Sequence, residues 1–487
     1  MRLYAMLVLL SIYSITSAQQ FKLDDVGILK DSKGDRDIIK VSNGFIAIEY
    51  STKTRMAYTF TLSKLRYDSK LIKYDDKLNI QKQIILSGGE RVYGPFIPFL
   101  KSISNKTLLF YFQSSDNENE IILYASEIDE STLELKTAKK ILAINQQNIG
   151  VIKAFYLFDN QKLIVNVFPN NQKTIVAWSS GVNNEIYISV LEQNMDLIWS
   201  KNEKVAGADE IRLTSACVDK NGTAFISYIN THKKDKKNFA IIAKQNAATA
   251  NLELVIDGGI IRHAFISPGN SDNDILISGT YMEGTDYLLT GAFSQHINAN
   301  SLVVSNKLKQ PFPESLVEQF KNDSYARTKN KDYGIFANSD LEHSVMEDGS
   351  VSISGDFNRY VGSARSSLTS QITGSILHIL IKKDTAVFNR IPRSEVEVHQ
   401  GGESANLFYP FAYKDKMLVF YNDDAYGRGN QLIVAIIDKN GGVNRKALGA
   451  AGPKVLALAV EKIRPINDSV LILPTVNDHV GILEITN

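Results

Sequence analysis

The chain has 487 residues, 44% apolar and 22% charged, with 54 basic against 53 acidic side chains and one cysteine. This composition excludes a disordered chain and leaves ample apolar material for a large core. The charge balance gives no general bias toward nucleic acid or anionic lipid, and the lone Cys217 excludes both an intramolecular disulfide framework and an all-cysteine zinc site.

At the N-terminus, Arg2 precedes a mainly apolar run from Leu3 to Ile15, and Thr16-Ser17-Ala18 is a small-residue end suited to cleavage before Gln19. The reading is a secretory signal peptide over 1–18, too short to span a bilayer. Losing Arg2 with it leaves the mature chain formally neutral. No cysteine adjoins the cleavage point and no later stretch is long and apolar enough for a span, so neither a lipid anchor nor a transmembrane segment is expected.

From there on, helical periodicity is nearly absent. Short runs of β-branched and aromatic residues between Gly, Asn and Asp read as strands and hairpins; Phe45–Tyr50, Thr107–Phe112, Lys162–Val167, Ala224–Tyr228, Asp274–Gly279 and Met417–Tyr421 are examples. A longer unit emerges when they are aligned, in which a strand led by a polar residue runs through a turn into a further strand. Its copies join Lys70–Tyr74 to Gln83–Ile85, Glu120–Ala125 to Lys139–Leu142, and Glu185–Val190 to Leu197–Lys201. Further copies join Asn238–Ala243 to Leu252–Val255, Asp286–Thr290 to Leu302–Val304, and Leu377–Ile381 to Val387–Phe388, and the last runs from Gln431–Ile436 into Asp438–Gly442.

Seven copies at a period of roughly 50–57 residues, each with about four strands, predict an all-β propeller, because a lone four-stranded sheet cannot bury both faces. Three closing strands, Val455–Lys462, Ser469–Leu473 and His479–Thr486, need a fourth from near Asp25–Lys30. Ring closure by both termini therefore gives eight blades, or seven if the loose first copy is not whole. One propeller domain is expected over 19–487, interrupted at 309–375 by an insertion. There Pro313 and Glu314 open a helix with an apolar face of Leu316, Val317 and Phe320, Asp348-Gly349 forms a tight turn, and Arg359 to Ser375 reads as a Ser/Thr-rich loop.

Pro313 through the Val351 strand, the His378 strand, and Tyr409 to Asp423 resemble a group of exported propeller-like proteins of Bacteroidota. The similarity lies in the helix insertion, the Asp348-Gly349-Ser350 turn and the Tyr421-Asn422-Asp423 strand end, over roughly residues 310–425. The resemblance implies export and a propeller, and brings no activity with it.

Motifs for chemistry are scarce. There is no HExxH, P-loop, GxGxxG or GxSxG, and no S-x-D-x-G-x-T-W turn. Trp178 and Trp199 are the only tryptophans, too few for a tryptophan-docked quinone cofactor. Asp272 and Asp274 read as a solvated turn rather than a calcium site, and Cys217 as a small buried hydrophobe. No cofactor or metal is expected.

Numbering the strands of each blade A to D from the axis outward, the long connections fall between B and C: Ser114–Asn119, Thr231–Lys237, Arg359–Ser375 and Asn422–Asn430. They should share one face and include a basic tip (Lys233, Lys234, Lys236, Lys237). The candidate binding residues are Arg359, Tyr360, Tyr421, Asp423, Asp424, Tyr426 and Arg428, since loops on a rigid scaffold carry binding and Tyr and Arg anchor interfaces. The reading is an exported, non-catalytic binding or assembly module whose partner is an envelope or outer-membrane protein, with a glycan ligand possible. The rival is a glycan hydrolase or lyase with paired carboxylates at the central channel.

Overall fold

The computed structural model describes residues 20–28, 35–53, 66–86, 99–114, 120–145, 162–179, 184–232, 235–269, 273–283, 288–321, 335–336, 341–362, 369–394, 396–399, 408–423, 431–448, 463–474 and 479–486. The expected signal peptide, 1–18, lies outside them. They form eight antiparallel sheets arranged as the blades of a β-propeller. In chain order the blades span 35–86, 99–145, 162–204, 210–253, 260–311, 342–391 and 408–447, and the eighth is built from both ends of the described chain. The first strands of successive blades approach one another, as in Glu210–Val218 with Ile260–Pro268 and Glu342–Val345 with Phe408–Tyr413, and so surround the axis.

Two-sided burial explains the sequence pattern. Along Lys173–Ser179 in blade three, Val176 and Trp178 pack against Phe110 and Leu123 of blade two, while Ile175 and Ala177 pack against Ala216 and Ile226 of blade four. Successive side chains of a strand point to opposite faces, so a strand buried on both sides must be apolar almost throughout. The core is accordingly divided into eight clusters, one in each seam. The last of them joins Ile472 and Val480 of blade eight to Phe45 and Ala47 of blade one, and so closes the ring.

In blade eight the order is Gln20–Ile28, His479–Thr486, Val470–Pro474 and Arg464–Asn467. The N-terminal strand is outermost and pairs from Gln20↔Thr486 to Ile28↔His479, with a bulge between Asp25 and Gly27. Closure by both termini, and the count of eight, match the expectation. The innermost described strand is Arg464–Asn467; the expected strand Val455–Lys462 lies outside the described residues.

The expected helix, α1 (Glu314–Lys321), follows the last strand of blade five. Pro313 has no N–H to satisfy, and its carbonyl accepts from Leu316 N and Val317 N at 3.0 and 3.2 Å. Leu316, Val317 and Phe320 are buried in the seam between blades five and six, and Phe312 meets Phe388 edge-on at 5.1 Å. The helix therefore docks on the ring itself. Blade six spans 342–391, so the part of the expected insertion from 342 to 375 belongs to the blade itself.

Antiparallel order places the A–B and C–D turns on one face and the B–C and D–A connections on the other. The first face is trimmed with tight turns closed by Asx side chains. Asp75 Oδ1 accepts from Lys77 N and Asn79 N, Asp219 Oδ1 from Asn221 N and Thr223 N, and Asp438 Oδ1 from Asn440 N and Gly442 N. In several C–D turns the left-handed residue is a buried apolar one: Leu78 at φ 60°, Leu133 at 60° and Met195 at 69°. Packing holds these side chains in a conformation costly for them. At Gly44 (φ 103°) only glycine fits, because a Cβ would lie 1.9 Å from the Tyr74 carbonyl oxygen.

Candidate functional site

Of the four expected loops of the B–C face, the described parts of Thr231–Lys237 and Arg359–Ser375 are paired strands, while Ser114–Asn119 beyond Ser114 and Asn422–Asn430 beyond Asp423 lie outside the described residues. Arg359 and Tyr360 lie in the B strand of blade six, Val351–Gly362, opposite Ile372 and Gln371 of the C strand, Thr369–Ile381. That ladder runs out to Gly362↔Thr369, and Val396–His399 adds a third strand along Ser370–Thr373. The stretch read as a Ser/Thr-rich loop is thus a hairpin prolonged beyond the four-stranded part of its blade. Thr, Tyr, Val and Ile favour strands whatever the polarity of the segment. Thr231–Lys237 is corrected in the same way, since pairing continues to His232↔Asp235.

Tyr421 and Asp423 end the B strand of blade seven and are 0% and 1% exposed. The expectation that placed them on a surface loop is corrected, because both are buried and join a polar cluster at the seam with blade six. Arg445 Nε donates to Tyr421 Oη at 2.8 Å, and Arg445 Nη2 donates to Asp423 Oδ2 at 2.6 Å. Tyr421 Oη also donates to Pro392 O at 3.4 Å, and Ser394 N donates to Asp423 Oδ1 at 3.0 Å. Between these anchor points, Arg393 Nη2 meets Asp356 Oδ2 at 3.2 Å, with both side chains almost wholly buried. The cluster fastens the segment leaving blade six to blade seven. Burial, chiefly, pushes the Tyr421 hydroxyl up to about 12, so it stays protonated. Asp424, Tyr426 and Arg428 lie outside the described residues.

The same seam holds a serine, a histidine and an asparagine in sequence of contact. Ser352 Oγ lies 3.0 Å from His378 Nε2, and Asn389 Nδ2 lies 3.5 Å from His378 Nδ1. Nucleophile, base and orienter take this order in acyl-transfer enzymes. Here Ser352 is 1% and His378 0% exposed, and burial pushes the imidazole down to about 3. A substrate carbonyl cannot reach the hydroxyl in this arrangement, and the trio is a packed polar contact within the blade.

At the axis, a cavity of about 380 Å³ is lined by A strands of blades two to six, with Lys101, Asn166, Cys217, Ser267 and His343 among its walls. Lys101 Nζ donates to the Val165 carbonyl, bridging blades two and three. Burial, helped by the charge of Arg464, pushes this amine down to about 8. His343 stacks on Phe265 with ring centres 4.6 Å apart, and Asn166 Nδ2 donates to Ala216 O at 2.9 Å. Cys217 is buried and its thiol is pushed well above the usual range by desolvation, as expected for a small hydrophobe. The nearby carboxylate of Asp37 accepts from Leu100 N at 2.8 Å and faces Arg464 Nε at 3.5 Å. Among the described residues that line the cavity there is no carboxylate, so these residues do not supply the facing acid pair of the rival reading.

Among the described residues, no group of three or more His, Cys, Asp or Glu is placed to hold a metal ion. Asp274 Oδ2 instead meets His296 Nδ1 at 2.8 Å, while Asp272 lies outside the described residues. Also among the described residues, no helix is long and apolar enough to cross a membrane.

No family model matches the chain, and no curated protein matches it. Solved structures do. The polysaccharide lyase Uly1 is 11% identical over 80% of this chain and 89% of its own, with a TM-score of 0.42. The β-propeller domain of the trilobed protease from Pyrococcus furiosus is 11% identical over 86% and 97%, with a TM-score of 0.34. The Dos1 propeller is 10% identical over 95% and 94%, with a TM-score of 0.36. The chain is an eight-bladed β-propeller by its own strand order and seams.

Proposed function

We propose that the protein is an exported, non-catalytic binding and assembly module, and that it docks another envelope protein on the face of its B–C and D–A connections. The observation that carries this reading is the unequal finish of the two faces. One is cut close with Asx-closed turns. On the other, blade six prolongs its central hairpin to Gly362↔Thr369 and braces it with the extra strand Val396–His399. The ring closes without that extension, and a paired projection on a rigid scaffold is suited to contact with a partner. Export rests on the leader at 1–18 and on the resemblance to exported propellers.

The test shortens the hairpin by joining Asn358 to Thr373, which are partners in the ladder. The shortened protein should stay folded, with a thermal midpoint within a few degrees of the parent, and should recover much less of the envelope partner from native membrane extracts. Equal recovery by both proteins contradicts the reading. So does measurable glycan cleavage by a parent protein that recovers no partner.

A further inference from the structure

A groove of about 760 Å³ opens between blades four and five on the B–C face, within the size range of ligand sites. Lys236 and Lys237 of blade four and Arg262 of blade five line it, together with Val255, Ile260 and Met282. Val255 is 59% and Ile260 50% exposed, whereas most large apolar side chains of the ring are buried in the seams. Among the described lining residues Glu253 is the one carboxylate, and it pairs with Lys237 at 2.8 Å. The lining is therefore apolar with a net positive charge.

The backbone gives a second, independent observation. The C strand of blade four, Asp235–Ala243, pairs with the B strand along its whole length, but the D strand, Ala250–Glu253, covers only Phe239–Ile242. Leu254 N donates to Asn238 O at 2.8 Å, so that carbonyl faces the outer edge. Strand alternation turns the N–H and C=O of Lys236 the same way. At the same place Asn238, 3% exposed, donates Nδ2 to Ile261 O at 2.7 Å, and its buried Oδ1 has no donor in the protein.

We propose that this groove binds an acidic peptide segment of a partner protein in extended form. The segment adds as a short strand beside Asp235–Lys237, where it meets the outward N–H and C=O of Lys236, sets carboxylates against Lys236, Lys237 and Arg262, and lays apolar side chains on Val255 and Ile260. The open strand edge favours a peptide over an acidic glycan, because only a peptide offers alternating N–H and C=O groups to it. This inference rests on the B–C face being the binding face, and it names the chemistry of the partner.

The probe is a fluorescent peptide of alternating Glu and Val, read by anisotropy on the whole protein. Its comparators are the same peptide with Lys for Glu, the same peptide N-methylated at alternate amides, and an oligouronate of equal charge. The acidic peptide should bind, and its Kd should weaken by at least about tenfold in the exposed double variant Lys236→Glu/Lys237→Glu and fall off with salt. N-methylation should weaken it as well, and Lys383→Glu in a C–D turn on the opposite face should not. Absence of binding, equal affinity for the double variant, or tighter binding of the oligouronate overturns the proposal. If the envelope partner still cross-links to the B–C face in any of those cases, only the groove assignment falls. If the partner cross-links to the opposite face alone, the face reading falls.

Discussion

The side-chain amide of Gln310, on the outermost strand of blade five, binds both the backbone N–H and the backbone C=O of Ala386 on the outermost strand of blade six. Its Nε2 donates to Ala386 O at 2.7 Å and its Oε1 accepts from Ala386 N at 2.7 Å. Outer strands of neighbouring blades diverge, so one long side chain here supplies the main-chain bonds that a ladder would otherwise make. Gln310→Ala leaves both groups of Ala386 without these partners while they stay partly buried. The expected cost is about 1–3 kcal/mol in chemical denaturation, and Gln310→Glu, which keeps the acceptor but not the donor, should lie between the two.

The buried pair of Arg393 and Asp356 should behave as a unit. Removing one partner strands a charge in the seam, so Arg393→Met and Asp356→Leu should each destabilise by about 3–5 kcal/mol. The double variant should recover much of the loss, because two apolar groups then meet where two charges did. Additive losses in urea denaturation would show that the two side chains do not act through each other.

His378 sets a pH dependence. Its folded value lies near 3 because burial penalises the imidazolium, against an ordinary 6.5. Between these values the unfolded chain binds a proton that the folded chain does not, so stability rises with pH. This contribution is complete above about pH 6.5 and is lost progressively as the pH falls toward 3. His378→Gln should flatten the slope of stability against pH over that window by up to about 1.4 kcal/mol per pH unit, whatever its effect on stability at neutral pH. An unchanged slope would place the titration elsewhere.

The pairing of Gln20–Ile28 with His479–Thr486 locks the ring. Deleting 20–28 exposes the edge of the C strand of blade eight and removes Phe21 and Leu23, which pack in the seam between blades seven and eight, so that Leu483 and Ile485 lose their cover. The expected result is a broadened thermal transition with a lower midpoint and early exchange of the blade-eight amides. A transition as sharp and as late as the parent's would contradict closure through this strand.

The fold was legible in the sequence because two-sided burial writes a repeated apolar pattern into each blade. Six of the seven copies aligned from sequence overlap the C and D strands of a blade, the seventh, Gln431–Ile436 into Asp438–Gly442, is a C strand and the turn after it, and the expected closing strand His479–Thr486 is the C strand of blade eight. The apolar face of α1 was legible because Leu316, Val317 and Phe320 sit at helical spacing. The buried cluster was not. Arg393 and Asp356 stand 37 residues apart, and Arg445 meets Asp423 across 22, so no local pattern marks either pair. A polar residue near a strand end, as with Tyr421-Asn422-Asp423, reads as a loop entrance from sequence; only the neighbouring blade turns it inward. The hairpin beyond Asn358 is hidden in the sequence because its Ser and Thr content resembles that of a loop, while the β-branched and aromatic residues at Tyr360, Val361 and Ile372 favour the paired strands found there.

The most direct measurement of the functional account is site-specific photo-cross-linking in native cells, with the reactive group placed on each face in turn. Ala206 and Asp257 are exposed on the D–A connections of blades three and four, and Lys220, Lys383 and Lys439 are exposed in the tight turns of the opposite face. The account predicts cross-links from Ala206 and Asp257 to one recurring envelope protein, and none to it from Lys220, Lys383 or Lys439. Cross-links confined to the tight-turn face, or equal from both faces, would contradict it.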